Sequence, residues 1–159
     1  LTIAIPNYNG GKNLQRAIES CKKIKIPLED YEILIADNCS TDNSIDIINE
    51  LNNKFSNLVL IENKENVGRI QNWNVCLENA KGKFLIFLFS NDTINDQNNI
   101  HEILEILDKN EKISIGFSSL LKKEIDNSYI KKSFSDKIIK CPSNLFAQEC
   151  LSRGLLPFG

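Results

Sequence analysis

The chain has 159 residues, of which 42% are hydrophobic and 25% charged, a composition that fits one globular domain of ordinary size. A formal charge of -2 and a pI near 5.5 exclude a nucleic-acid partner held by a broadly basic surface, and no apolar run is long enough to span a membrane. Five cysteines, Cys21, Cys39, Cys76, Cys141 and Cys150, form no CxxC pair and no zinc-ligand pattern, so they read as reduced thiols of a cytoplasmic protein.

The first residues lack the basic start, apolar run and cleavage site of a secretory signal. The chain holds no methionine, and its last residues, GLLPFG, read as a loop entrance, so it is expected to be part of a longer product that continues past Gly159. Asparagine occurs 21 times, which makes any single Asn weak evidence for a site.

Leu1 to Ile5 reads as a first strand, ended by the turn formers Pro6 to Gly11. Leu14, Ala17, Ile18 and Cys21 recur at the spacing of one buried helical face, and that helix gives way near Pro27. Tyr31 to Ala36 is the second strand. The polar loop from Asp37 to Asp42 follows it and leads into a helix that buries Ile47, Ile48 and Leu51.

Leu58 to Ile61 is the third strand. The turn at Asn66-Val67-Gly68 opens a third helix whose apolar stripe would be Ile70, Trp73, Leu77 and Ala80. The apolar run Phe84 to Phe89 predicts a fully buried central strand, stopped by Ser90-Asn91-Asp92. A further helix carries Ile100, Ile103, Leu104 and Leu107, and Ile113 to Phe117 predicts a fifth strand. The lysine-bearing stretch 120–140 reads either as a β-ribbon or as a mobile excursion, and Ser143 to about Arg153 reads as a short final helix. Strands alternating with helices predict an α/β fold with a mainly parallel, doubly wound sheet.

In such sheets ligands bind beyond the carboxyl ends of the strands. Four loops fall there. Pro6 to Gly11 either forms an ordinary turn or presents backbone N–H groups to a ligand, and it lacks the GxxxxGK[ST] and GxGxxG patterns of phosphate loops and dinucleotide folds. Asp37 either accepts hydrogen bonds from a base or ribose or closes an Asx-turn, with Asp42 the better helix cap. Arg69 is either a solvated helix residue or a contact for phosphate or base. Asp92 is either a turn residue or a ligand for a hard cation that holds a diphosphate. Trp73 reads as core packing, His101 as solvated, and the lysines of 120–140 as a solvated surface or as contacts to an anionic membrane or acceptor phosphate.

PNYN after strand one, YEILIADNCSTDNS at strand two, ENVGRIQNWNVCLENAKGKFLIFL into strand four and then SND resemble the nucleotide-binding half of a family 2 glycosyltransferase of the GT-A fold, over roughly residues 1–110. The resemblance implies a single GT-A-type domain, with 1–110 as its nucleotide-binding half and 111–159 as the start of its acceptor side. It implies that Asn7 and Tyr8 border the base and ribose while Pro6 and Asn9 shape the turn. It further assigns Asp37 to the base, with Asn38 and Ser40 beside it, and Arg69 to the base or diphosphate. Ser90, Asn91 and Asp92 stand where the family holds ribose and metal. The usual DxD or DSDD is here Phe89-Ser90-Asn91-Asp92, which leaves Asp92 as the charged metal ligand, with Asn91 able to ligate through its amide oxygen.

The activity implied is inverting sugar transfer from a nucleoside-diphosphate sugar, a UDP-sugar first, to a hydroxyl of a glycan or lipid-linked acceptor in cell-surface polysaccharide synthesis. Mg2+ or Mn2+ would assist, and the protein would work in the cytoplasm or at the cytoplasmic face of the membrane, with peripheral membrane contact. The general base is expected beyond Gly159, and Glu124, Asp126 and Asp136 receive no role. The alternatives are a non-catalytic nucleotide-sugar-binding module and a sugar-phosphate nucleotidylyltransferase, whose glycine-rich opening Gly10-Gly11-Lys12 matches poorly.

Overall fold

The computed structural model describes residues 1–94, 97–109, 120–123 and 129–132, with side chains for 1–94 and 100–109. The chain divides into two compact units, Leu1–Gly116 and Phe117–Gly159. In the first unit β1 (Thr2–Asn7), β2 (Glu32–Asp37), β3 (Leu58–Glu62) and β4 (Leu85–Phe87) form one parallel sheet in the order β3-β2-β1-β4. They alternate with α1 (Gly11–Ser20), α2 (Ser44–Asn52), α3 (Arg69–Asn79) and α4 (Gln97–Asp108). In the second unit β5 (Leu120–Lys123) and β6 (Tyr129–Lys132) pair antiparallel, which is the ribbon of the two readings of that stretch. The expected strand 113–117 and final helix 143–153 lie outside the described residues, as do Glu124, Asp126 and Asp136.

Alternation along β1 and β2 sets the two faces of the sheet. Ile3, Ile5, Ile33 and Ile35 pack with Leu14 and Ile18 of α1 and Ile47, Ile48 and Leu51 of α2 in the main core, where each fully buried aliphatic side chain contributes about 1.5–3 kcal/mol. The opposite face is built from the small residues Ala4, Ala36 and Cys76, flanked by Val75, Leu85 and Phe87. Burial pushes the Cys21 thiol up to about 12 and the Cys76 thiol up to about 11, so both behave as small hydrophobes.

β1 runs two residues past its expected end, through Pro6 to Asn7. Thr2 N–H donates to Phe84 O and Leu88 N–H to Ala4 O, so the even residues of β1 turn their polar groups toward β4. Pro6, which has no N–H, points to the side where β4 has already ended, and no ladder bond is lost. Register then aligns Asn7, Asp37 and Glu62 in one row at the carboxyl edge.

Two expectations are corrected. β4 is three residues long and half-buried, so it is shorter and less buried than six apolar residues predict. α3 does not bury its Ile70–Leu77 stripe. Ile70 is 57% and Leu77 54% exposed, while Asn72 and Cys76, one turn apart, face the sheet. The small residues on that face give α3 close approach to strand-end carbonyls that an amide can satisfy and an isoleucine cannot.

The opposite, amino edge of the sheet is sealed by Thr2 Oγ1, which donates to Glu32 Oε1 at 2.6 Å and accepts from Gly82 N–H at 2.9 Å. A Cβ at position 82 would lie 2.5 Å from the Leu1 carbonyl carbon and the Thr2 nitrogen, so the backbone has to move to admit it. Gly82→Ala is therefore expected to cost about 1–3 kcal/mol in urea unfolding; a loss below the error of the measurement would contradict this account of the β1–β4 junction.

Candidate functional site at the carboxyl edge of the sheet

The loops after β1 and β2 are joined by a buried polar contact. Asn7 Nδ2 donates to Asp37 Oδ1 at 2.7 Å and to Ser40 Oγ at 3.2 Å, and both Asn7 and Asp37 are 1% exposed. Asp37 also accepts from Ser40 N–H at 2.8 Å and from Ser40 Oγ at 2.6 Å, closing an Asx-type turn. The turn bends through Cys39 at φ 62°. Asn9, at φ 53°, bonds outward: its Oδ1 accepts from Thr41 N–H at 2.8 Å and its own N–H donates to Ser40 Oγ at 2.9 Å. Asp42 Oδ1 accepts from Ser44 N–H at 3.0 Å in an Asx-type turn just before α2, but the N-cap position itself falls to Asn43, whose side chain makes no capping bond, so Asp42 is not the cap expected of it. Tyr8 stays half exposed beside this knot.

Asn38 ties the second loop to the third. Its Nδ2 donates to Asn66 Oδ1 at 2.8 Å, and its Oδ1 accepts from Val67 N–H at 2.9 Å and Asn63 Nδ2 at 3.2 Å. Asn66 Oδ1 accepts a further bond from Gly68 N–H at 3.0 Å, which sets the entry to α3. Asn38 is buried, and its amide is engaged inside the protein. Asn63 Nδ2 also donates to Asn72 Oδ1 at 2.9 Å.

Arg69 opens α3 on the exposed side, its guanidinium 5.7 Å from the centre of the Trp73 ring. Trp73 lies 5.5 Å from Phe89 and 6.2 Å from Phe87, ring centre to ring centre. That aromatic group connects Arg69 to the segment leading into Ser90-Asn91-Asp92. The segment itself is held by Asp92 N–H on Phe89 O at 2.9 Å and Ile94 N–H on Ser20 Oγ at 2.9 Å. Ser90 reaches the first loop: a Cβ on Gly10 would lie 3.2 Å from Ser90 Cβ. Asp92 is exposed, yet protein on one side desolvates its carboxyl enough to hold it above the usual carboxylate range.

The structure thus places Pro6, Asn7, Tyr8, Asn9, Asp37, Asn38, Arg69, Ser90, Asn91 and Asp92 along one sheet edge, in four loops linked side by side. Among the described residues no three His, Cys, Asp or Glu side chains cluster as a metal cage. Sequence reasoning missed Asn63 and Asn72, hidden in a chain rich in asparagine. The signal that could have found Asn72 is its spacing with Cys76, which puts an amide and a small residue on one helical face.

The sequence profile described as glycosyl transferase family 2 matches residues 2–151. A poly(ribitol-phosphate) beta-glucosyltransferase of Bacillus spizizenii is 36% identical over 98 residues, which cover 61% of this chain and 16% of that protein. The crystal structure of Staphylococcus aureus TarS 1–349 in complex with UDP-GlcNAc superposes with a TM-score of 0.62 at 29% identity, covering 68% of this chain and 31% of that one. A Pyrobaculum calidifontis mannosyltransferase in complex with GDP-Man and Mn2+ shares the fold at a TM-score of 0.62 and 18% identity, covering 67% of this chain and 31% of that one. The chain spans less than a third of the length of each.

A Cβ on Gly10 would sit 2.2 Å from Asn7 Oδ1, a buried atom with no hydrogen-bond partner. Gly10→Ala is expected to push the Asn7 amide off Asp37 and to cost about 1.5–3 kcal/mol, the worth of a bond to a carboxylate. Unchanged stability in chemical denaturation would mean that the Asn7–Asp37 contact does not constrain the edge.

Proposed function

Because the chain belongs to glycosyl transferase family 2, we propose that it forms the nucleotide-sugar-binding part of an enzyme that transfers a sugar from a nucleoside diphosphate to a hydroxyl of a glycan or lipid-linked acceptor. The observation that carries this reading is the linkage of four strand-end loops into one edge bearing Tyr8, Asp37, Arg69 and Asp92. The likeness to a UDP-GlcNAc complex supports a UDP-sugar donor, and the likeness to a poly(ribitol-phosphate) glucosyltransferase supports a cell-surface polysaccharide as acceptor.

Each residue has a role that its surroundings support. A carboxylate has about four acceptor sites. Asn7 and Ser40 occupy both on Oδ1 of Asp37 and one on Oδ2, which leaves one on Oδ2 for a base N–H. Tyr8 offers an exposed ring for the base. Arg69, steadied over Trp73, offers charge-assisted bonds to the diphosphate.

A divalent cation with one or two protein carboxylates and the rest of its shell from phosphate and water suits this edge better than a protein-only cage. Asp92 and Asn91 would hold it, and a carboxyl already held up by desolvation is one whose charge a cation stabilises. Bound there, the cation would neutralise the departing diphosphate. Inversion at the anomeric carbon, with a general base beyond Gly159, belongs to the same proposal. So does a cytoplasmic site of action, supported by Cys21, Cys39 and Cys76 as free thiols. Peripheral contact with an anionic membrane would fall to lysines such as Lys122 and Lys131, which register sets opposite Ile130 and Leu121. Asn91 favours one second reading, a module that binds nucleotide-sugar without turning it over.

Thermal shift with UDP, GDP, dTDP and CMP, each with and without Mn2+, is expected to show stabilisation by one nucleoside diphosphate that depends on the metal. No shift with any of them would contradict the reading. Asp37→Ala is expected to abolish the response. Asn91→Asp should strengthen its metal dependence, and donor turnover appearing only in that variant would favour the binding module. Because the Asp92 carboxyl protonates at a higher pH than an ordinary Asp, metal-dependent binding should fade at a correspondingly higher pH on acidification. An Asp92→Asn variant should lose that pH dependence together with the metal effect.

A further inference from the structure

α3 presents an unusual choice of buried face. It leaves Ile70 and Leu77 more than half exposed and buries Asn72 to 3%. An amide taken out of water is costly unless its bonds are replaced, and here they are. Asn72 Nδ2 donates to Ala36 O at 2.9 Å and to Asn7 O at 3.4 Å, while Oδ1 accepts from Asn63 Nδ2 at 2.9 Å. Asn7 O also accepts from Asn38 N–H at 2.9 Å, and Asn63 N–H donates to Asp37 O at 2.9 Å. One buried amide therefore touches the ends of β1 and β2 and the first residue past β3, and each contact lies next to a residue of the proposed donor site.

We infer that Asn72 is a positioning residue for the nucleotide-binding edge, acting through the Ala36 and Asn7 carbonyls and through Asn63 and Asn38 rather than on the ligand. The inference rests on the donor reading above and deepens it. Its logic is geometric. Ala36 O lies in the peptide unit that leads into Asp37, so the bond from Asn72 sets the plane from which that carboxylate departs. Asn63 is shared between Asn72 and Asn38, and Asn38 in turn holds Asn66 and Val67, so the same amide fixes the loop that delivers Arg69. Without it, α3 and the loop from Asn63 to Gly68 are free to shift relative to Asp37 while the isoleucine core on the other face stays intact. A displacement of about 1 Å caused by a mutation far from the reacting atoms can cost about 100-fold in rate.

The test is titration calorimetry of the full chain with UDP and with GDP in the presence of Mn2+, at a temperature where circular dichroism shows every variant folded. Asn72→Ala is expected to weaken binding of the preferred nucleoside diphosphate by about tenfold or more and to shrink the affinity ratio between the two bases. Leu51→Ala, a core truncation on the far face of the sheet, is expected to lower the melting temperature but to leave affinity and base ratio within about twofold. A merely structural role for Asn72 would make the two variants behave alike, and that result overturns the inference. Asn63→Ala, on a partly exposed loop, carries the same expectation and the same test should Asn72→Ala fail to fold. If the unaltered chain binds neither nucleotide, the donor reading falls and takes this inference with it; if it binds and both asparagine variants keep affinity and base ratio, only this inference falls.

Discussion

A carboxylate and an amide buried side by side, Asp37 and Asn7, are the constraint on which the functional edge depends. Both are 1% exposed, and a buried carboxylate without hydrogen bonds is among the most costly groups a fold can hold. The protein meets that cost locally, with the Asn7 amide, the Ser40 hydroxyl and the Ser40 N–H. Everything nearby follows from holding those groups in place. Position 10 must be glycine to make room for Asn7, Cys39 must take a left-handed turn, and Asn9 must turn outward to catch Thr41.

The two faces of the sheet divide the work. One face, isoleucine-rich against α1 and α2, supplies the hydrophobic free energy that keeps β1 and β2 in register. The other, lined by Ala4 and Ala36, lets α3 approach so closely that its polar residues reach the strand ends. Stability and site placement are thereby carried by different side chains. That separation explains how an edge rich in asparagine can be ordered without an ion pair: among the described residues the ion pairs, such as Lys83–Asp108, are exposed and lie elsewhere.

The elements with strong periodicity were legible in the chain alone. α1 and α2 bury the residues that their spacing names, and the four strands occur in the expected order. α3 was misjudged because apolar spacing assumes that the neighbouring surface wants apolar partners, whereas here it offers carbonyls to Asn72. β4 is shorter and less buried than its apolar run predicts, because such a run reports composition and not where strand pairing stops. In the site, the strand-end carboxylates Asp37 and Asp92 were visible as types and positions. The asparagine frame was not, since amides that meet another side chain 25 positions away, as Asn63 meets Asn38, or a backbone carbonyl 36 positions away, as Asn72 meets Ala36 O, leave no local pattern.

The central claim is that the loops after the four strands make one donor site. A crystal structure of the full chain with UDP and Mn2+ tests it most directly. The account predicts the base against Tyr8 and Asp37, the diphosphate between Arg69 and Asp92, and the cation in contact with Asp92. A nucleotide bound elsewhere, with Asp37 and Asp92 both untouched, would contradict it.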